Sequence, residues 1–217
     1  MAGRLEALWP LWRLRLRLGP LELRPPSDED LAALVEVARE GVHPPDRMPF
    51  LTPWTLLGSP AFEQGFLQHH WRLRAEWSPQ AWSLELAVAY EGQLVGCQGL
   101  WASDFAVTRT VETGSWLGAR FQGLGIGTTM RTAVLGLAFD HLGALEAHSG
   151  SLPDSPASAI VSRRLLYREN GVVARAVRGQ RVVEQRYRLT VQDWRALTRP
   201  EVEVEGLADC RHLFEGG

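Results

Sequence analysis

The run from Trp116 to Val134, WLGARFQGLGIGTTMRTAV, passes from a strand-like apolar stretch through a glycine-rich turn into the opening of a long helix. Few arrangements satisfy that order. Glycines at 123, 125 and 127 let the backbone approach an anion with no Cβ in the way, and the helix that follows offers unpaired N–H groups and the positive end of its dipole. The segment therefore predicts a phosphate cradle between a strand and a helix. Spacing narrows the ligand. The dinucleotide fingerprint would need glycine at Thr128 or Met130, and the nucleotide-triphosphate loop needs a lysine, which this chain lacks altogether. What remains is Q-x-x-G-x-G, with Gln122, Gly125 and Gly127.

Composition excludes several function classes. A formal net charge of -2 over 217 residues gives no footprint for general nucleic-acid binding. Cys97 and Cys210 stand in unrelated contexts, so neither a disulfide framework, a zinc site nor any other metal is expected, and a reducing cytoplasm fits. Arg13, Arg15 and Arg17 interrupt the apolar N-terminal stretch, which reads as neither signal peptide nor membrane anchor. Without lysine, Schiff-base catalysis is excluded.

Alternation over residues 12–18 and 21–24, broken at Gly19-Pro20, predicts two half-buried strand segments. Ser27-Asp28 caps a helix ending at Gly41, a proline-rich loop fills 41–60, and a second helix runs from Ala61 to about Trp77. Strands are expected over 82–90, 93–102 and 107–119, then a helix over 125–142, a strand over 144–148 and a helix from Ser155 through Tyr167. A hairpin over 172–177 and 181–189 follows. Residues 1–198 read as one domain and 199–217 as an extension, in which the strand-like EVEV at 201–204 packs on the domain or on a partner copy.

That order resembles the GNAT superfamily of acyl-CoA-dependent N-acyltransferases over roughly residues 12–190. GSWLG and QGLGIG at 114–127, the run Ser158 to Tyr167 and the loop between the first two helices carry the likeness, which is strongest to the Rim-type branch of ribosomal-protein N-terminal acetyltransferases and its actinobacterial relatives. Two departures stand out: Ser155 where the branch has Asn, and Leu166 where it has Gly. The resemblance implies an α/β fold with a mixed sheet of about seven strands flanked by helices and splayed at the strand before the pyrophosphate loop.

It also implies a site. Trp116, Leu117, Gly118 and Ala119 would pair with the pantetheine arm of acetyl-CoA or another acyl-CoA, and Gln122, Gly123, Leu124, Gly125, Ile126, Gly127 and Thr128 would surround its pyrophosphate, with Ser155 and Ser158 on the next helix. Glu112 shares a strand face with Gly114 and Trp116 and is the candidate general base, with Asp104 in reserve. Ser162 stands where many superfamily members carry a tyrosine that assists the leaving thiolate. His43, Asp46, Arg47 and Trp54 of the proline-rich loop are candidate acceptor contacts, and Arg47 would suit an acidic donor such as succinyl-CoA. Alternatives stay open: a solvated carboxylate for Glu112, exposed helical serines for Ser158 and Ser162, a packing anchor for Trp54, surface positions for His69 and His70. The expected activity is transfer of an acyl group to a primary amine, on a small molecule or a protein N-terminus or lysine, by a cytoplasmic homodimer or higher homo-oligomer. A non-catalytic acyl-CoA-binding module and an assembly protein using the EVEV tail are the rival readings.

Overall fold

The computed structural model describes residues 4–215. After a short helix α1 (Arg4–Leu8), Pro10–Arg13 form a 3-10 turn, so the alternating arginines and leucines become extended only at β1 (Arg15–Leu18). Gly19-Pro20 turns the chain into β2 (Leu21–Arg24), antiparallel to β1. Ser27 then opens α2 (Asp28–Arg39) with a capping box: its hydroxyl accepts from Asp30 N–H at 3.0 Å, and the Asp30 carboxylate accepts from Ser27 N–H at 3.0 Å. Leu31, Leu34, Val35 and Ala38 recur at helical spacing and are buried. The loop over 41–60 leads to α3 (Ala61–Ala75), followed by the long hairpin β3 (Ala81–Tyr90) and β4 (Gln93–Ser103). Positive φ at both Glu91 and Gly92 gives that hairpin its tight turn.

The strand expected from 107 begins later. Asp104 and Arg109, both left-handed, bracket a helical turn α4 (Phe105–Thr108) that buries Phe105, and β5 covers only Thr110–Leu117. Helix α5 (Ile126–Gly136), extended by a π-helical stretch over Leu137–His141, crosses to β6 (Glu146–Ser151). Then come α6 (Pro156–Arg164), the hairpin β7 (Arg168–Val177) and β8 (Gln180–Thr190), α7 (Val191–Ala196), β9 (Glu203–Glu205), α8 (Leu207–Cys210) and α9 (His212–Glu215).

The strands form one sheet of order β7-β8-β6-β5-β4-β3-β2-β1-β9, with nine strands rather than about seven. The surplus has two sources: the N-terminal alternation folds into two strands, and the EVEV segment adds β9 to the edge of its own chain's β1, where Arg17 and Glu205 pair at 2.5 Å. Every pairing is antiparallel except β5 with β6, whose parallel direction requires the α5 crossover. One sheet face packs on α5, with Leu84, Leu100, Met130 and Val134 buried between them; the other packs on α2 and α3 through Leu31, Leu34, Phe62, Phe66, Ala87 and Cys97. The tail closes the first core: Phe214 is fully buried, and Trp82 and Trp77 donate their indole N–H groups to the carbonyls of Phe214 and Leu213 at 3.2 and 3.0 Å. Among the described residues, no helix is long and apolar enough to cross a membrane.

Candidate active site

The one parallel junction of the sheet is also where it opens. Strands β5 and β6 pair from Thr110 with Glu146 as far as Thr113 with Ser149 and then separate. Beyond that point β5 stays with β4 through Leu117, and β6 stays with β8 through Ser151. Four residues of β5, Gly114 to Leu117, thus present an edge about 14 Å long without a strand partner along a cleft. The cleft has a volume of about 580 Å³ and is bordered by Trp116, Gln122, Gly127, Arg131, Ser158 and Glu184, among others.

The glycine turn lies at its mouth. Gly123 and Gly125 have φ of +78° and +86°, a region that L side chains enter only with strain. The first N–H groups of the turn to find backbone acceptors are those of Thr128 and Thr129, both on Gly125 O, so the five preceding N–H groups, from Gly123 to Gly127, have no acceptor among the described residues. Five free donors at the start of an 11-residue helix make an anion cradle. Gln122 fixes its position, donating through Nε2 to Val42 O at 2.7 Å and Leu117 O at 2.9 Å.

Opposite the cradle, the loop over 41–60 covers the cleft with an aromatic cluster. Trp54 packs against Phe50, Phe62, Phe66 and Trp116, with ring centroids 5.3–6.0 Å apart. His43 is fixed through its ring nitrogens to Pro44 O and Thr55 Oγ1, at 2.8 and 2.7 Å.

Charge is concentrated deeper. Arg186 Nη1 lies 2.9 Å from Glu112 Oε1 and 3.3 Å from Glu184 Oε1, bridging two carboxylates that both border the cleft. Glu184 also meets Arg175 at 2.7 Å. Its carboxylate occupies the space a side chain at residue 150 would need, so Gly150 admits it to the site. Across the cleft floor, Arg131 of α5 is almost fully buried and donates through Nη1 to Ser149 Oγ at 3.2 Å and Ser162 Oγ at 3.0 Å.

The profile of the acetyltransferase (GNAT) domain matches residues 20–167. The chain belongs to the GNAT acetyltransferases. Solved structures share its fold at low identity. RimJ of Mycobacterium smegmatis, in complex with CoA-disulfide, is 20% identical, covers 82% of this chain and 87% of its own, and superimposes with a TM-score of 0.67. RimL, a ribosomal alpha-N-protein acetyltransferase in complex with coenzyme A, is 15% identical over 81% and 97% of the two chains, with a TM-score of 0.64. The microcin self-immunity acetyltransferase MccE, in complex with acetyl-CoA and AMP, is 18% identical over 80% and 93%, with a TM-score of 0.62.

In this GNAT domain the residues singled out from sequence divide into groups. Glu112, Trp116, Leu117, Gln122, Gly127, Ser155, Ser158, His43 and Arg47 border the cleft together. Gly123, Leu124, Gly125 and Ile126 build the cradle at its mouth, Ile126 burying its side chain in the core and offering only its N–H, whereas the N–H of Thr128 is taken by Gly125 O at 3.0 Å and is not one of the free donors. Gly118 and Ala119 do not border the cleft: their N–H groups go to Val95 O and Gly41 O at 2.9 and 2.8 Å, which anchors the turn on the rest of the fold. Trp54 is a packing anchor under the loop, Asp46 is exposed on its outer side, and Asp104 caps the α4 turn away from the cleft. Ser162 is fully buried, accepts from Arg131 and donates to Ser158 O at 3.0 Å, so its hydroxyl is turned away from the cleft and spent inside the protein.

Of the 69–70 pair, His69 is exposed as expected and only His70 is not a surface residue. His69 borders the cleft, and His70 is buried against Phe66, where burial pushes its imidazole down to about 3. Glu184, Arg186 and Arg131 went unread in the sequence. Glu184 and Arg186 sit in an arginine-rich strand that looks solvated, and Arg131 stands at a helical position where an arginine usually reaches water. The glycine at 150, two residues from His148 in a short strand, was the available sign that something approaches closely.

Proposed function

We propose that this GNAT domain transfers an acyl group from acyl-CoA to a primary amine by direct attack within a ternary complex. Acyl-CoA, when bound, supplies the acyl group already activated as a thioester. The residues present fit that cofactor: five unpartnered N–H groups suit a pyrophosphate, and the free edge of β5 suits the amide-bearing pantetheine arm. The observation that carries the reading is the join of these two elements, a parallel strand pair that splits with an anion cradle at the mouth of the split.

Glu112 and Glu184 face the cleft as carboxylates and would draw an ammonium group to its inner end; Glu112, on the strand whose free edge orients the donor, takes the proton that the ammonium loses before the attack. Arg186 holds the two carboxylates in place. Arg47, exposed on the opposite rim and without an ion-pair partner among the described residues, suits a carboxylate on the donor or the acceptor, which supports succinyl-CoA as a donor alongside acetyl-CoA. The acceptor is a small-molecule amine or a protein N-terminus or lysine, reached past the 41–60 loop.

Calorimetric titration with acetyl-CoA, succinyl-CoA and free CoA tests the cofactor site. Micromolar binding that is lost in Gly125→Trp supports it, and no binding of any of the three removes the enzyme reading. Turnover against a panel of amines then separates an enzyme from an acyl-CoA-binding module, which would bind without consuming its ligand.

A further inference from the structure

We propose that Arg131 is a catalytic residue of this site, the group that holds the negative charge left on the sulfur of CoA when the thioester breaks. The inference rests on the acyltransferase reading above. It starts from an electrostatic anomaly. Arg131 is 3% exposed, and no carboxylate lies within ion-pair distance of it among the described residues. Its partners are two neutral hydroxyls, Ser149 Oγ and Ser162 Oγ, both reached by Nη1. Nε is buried with no acceptor among the described residues. A guanidinium stays protonated even under these conditions, so the fold holds a buried, uncompensated positive charge, an arrangement that costs several kcal/mol unless an anion completes it.

Its position says where that anion belongs. Ser149 is the last β6 residue to pair with β5, so the guanidinium sits at the apex of the split. The small accessible part of Arg131 borders the cleft. Any ligand anchored by phosphate at the Gly123–Gly127 cradle and laid along the free edge of β5 ends at this apex. The end of CoA is its sulfur.

Alternative groups for the charge are spent or sealed away from the cleft. The Ser162 hydroxyl donates to Ser158 O and serves Arg131 as an acceptor. Tyr167 Oη is sealed in the interior beside Thr113, completes no hydrogen bond of sound geometry and has no surface toward the cleft. In the reaction, the acceptor nitrogen forms its bond to the acyl carbon, the carbon–sulfur bond breaks, and its electron pair stays on sulfur. The acceptor arrives as an ammonium, so its nitrogen loses two protons: one to Glu112 before the attack, and one to water as the amide forms. Arg131 keeps its own proton and pairs with the thiolate, which takes a proton from water as CoA leaves.

The test needs no acceptor and no turnover. The thiol of bound CoA is titrated through its thiolate absorbance near 240 nm, as a difference between the CoA complex and the desulfo-CoA complex, in the wild type, Arg131→Met and Arg131→Lys. The protein's own thiols stay silent over this range, because burial raises Cys97 well above its ordinary value and Cys210 to about 11. A cation within a few ångströms lowers an acid by about 1–3 pH units. The bound thiol in the wild type is therefore expected to titrate about one unit or more below free CoA, to return to the free value in Arg131→Met, and to stay partly lowered in Arg131→Lys. A wild-type complex whose thiol titrates with free CoA overturns the proposal even if both variants fail to fold; so does a lowered value that Arg131→Met leaves unchanged. Failure of the wild type to bind CoA is a different result, and removes the acyltransferase reading beneath it.

Discussion

Glu85 lies in β3 opposite Gly99 of β4, and its carboxylate fills the space where residue 99 would carry a Cβ. The carboxylate faces a cavity of about 40 Å³ bordered by Trp12, His70, Arg74, Trp77 and Ser83, large enough for a water molecule or two; Arg74 is committed to Asp28 and Pro26 O, and among the described residues no side chain donates a hydrogen bond to Glu85. Burial alone acts on it, pushing its pKa from 4.5 up to about 7. The folded state therefore binds this proton more tightly than the unfolded chain. Between pH 4.5 and 7 the unfolded chain releases the proton while the folded protein retains it, so stability falls as pH rises through that window and is level above it. Each pKa unit is worth about 1.4 kcal/mol, so the whole effect is about 3 kcal/mol at most, most of it between pH 5 and pH 8. Glu85→Gln keeps the shape and removes the titration. Urea unfolding of both proteins at pH 5 and pH 8 isolates the residue, since every other titrating group cancels in the comparison. The variant is expected to gain about 2–3 kcal/mol on the wild type between the two pH values. Parallel stabilities across that range would show that Glu85 ionises freely and that its surroundings are wet.

Four further outcomes follow from the same geometry. Glu112→Gln, which keeps the contact with Arg186 but cannot take a proton, is expected to lower kcat about 10²–10⁴-fold with little change in acyl-CoA affinity; equal kcat in a turnover assay would move the base elsewhere. Gly150→Ala places a methyl group where the Glu184 carboxylate lies and should raise KM for the amine about tenfold while circular dichroism stays native; an unchanged KM would take Glu184 out of acceptor binding. Gly125→Trp is expected to weaken acyl-CoA binding at least about 100-fold by calorimetry, since φ of +86° and the cradle donors both depend on glycine there. Phe214→Ala should cost about 3–5 kcal/mol in chemical unfolding, because the ring is fully buried against Trp77 and Trp82; a loss under 1 kcal/mol would mean the tail is dispensable to the core.

What the residues themselves determined is whatever depends on local geometry. The cradle was legible because an anion-binding turn needs glycine where φ is positive and a helix start beyond it, and both conditions are written within six residues. The capping box at Ser27 and Asp30, the helical faces of α2 and the Glu91-Gly92 turn are local in the same sense. Local signals also misled: Val107 is β-branched, yet two left-handed residues and the burial of Phe105 wind it into a helical turn. Tertiary structure decided whatever depends on residues far apart in the chain. Nothing near residue 112 announces that Arg186 will hold its carboxylate, and nothing near 150 announces that Glu184 will reach over it, because these contacts exist only once β8 lies beside β6. The EVEV segment shows a strand but not its partner; β1 was free to receive it because the sheet ended there. Arg131 is the clearest case. On a helical wheel it is one more arginine, and its meaning comes from the absence of a countercharge around it, which only three-dimensional packing can create.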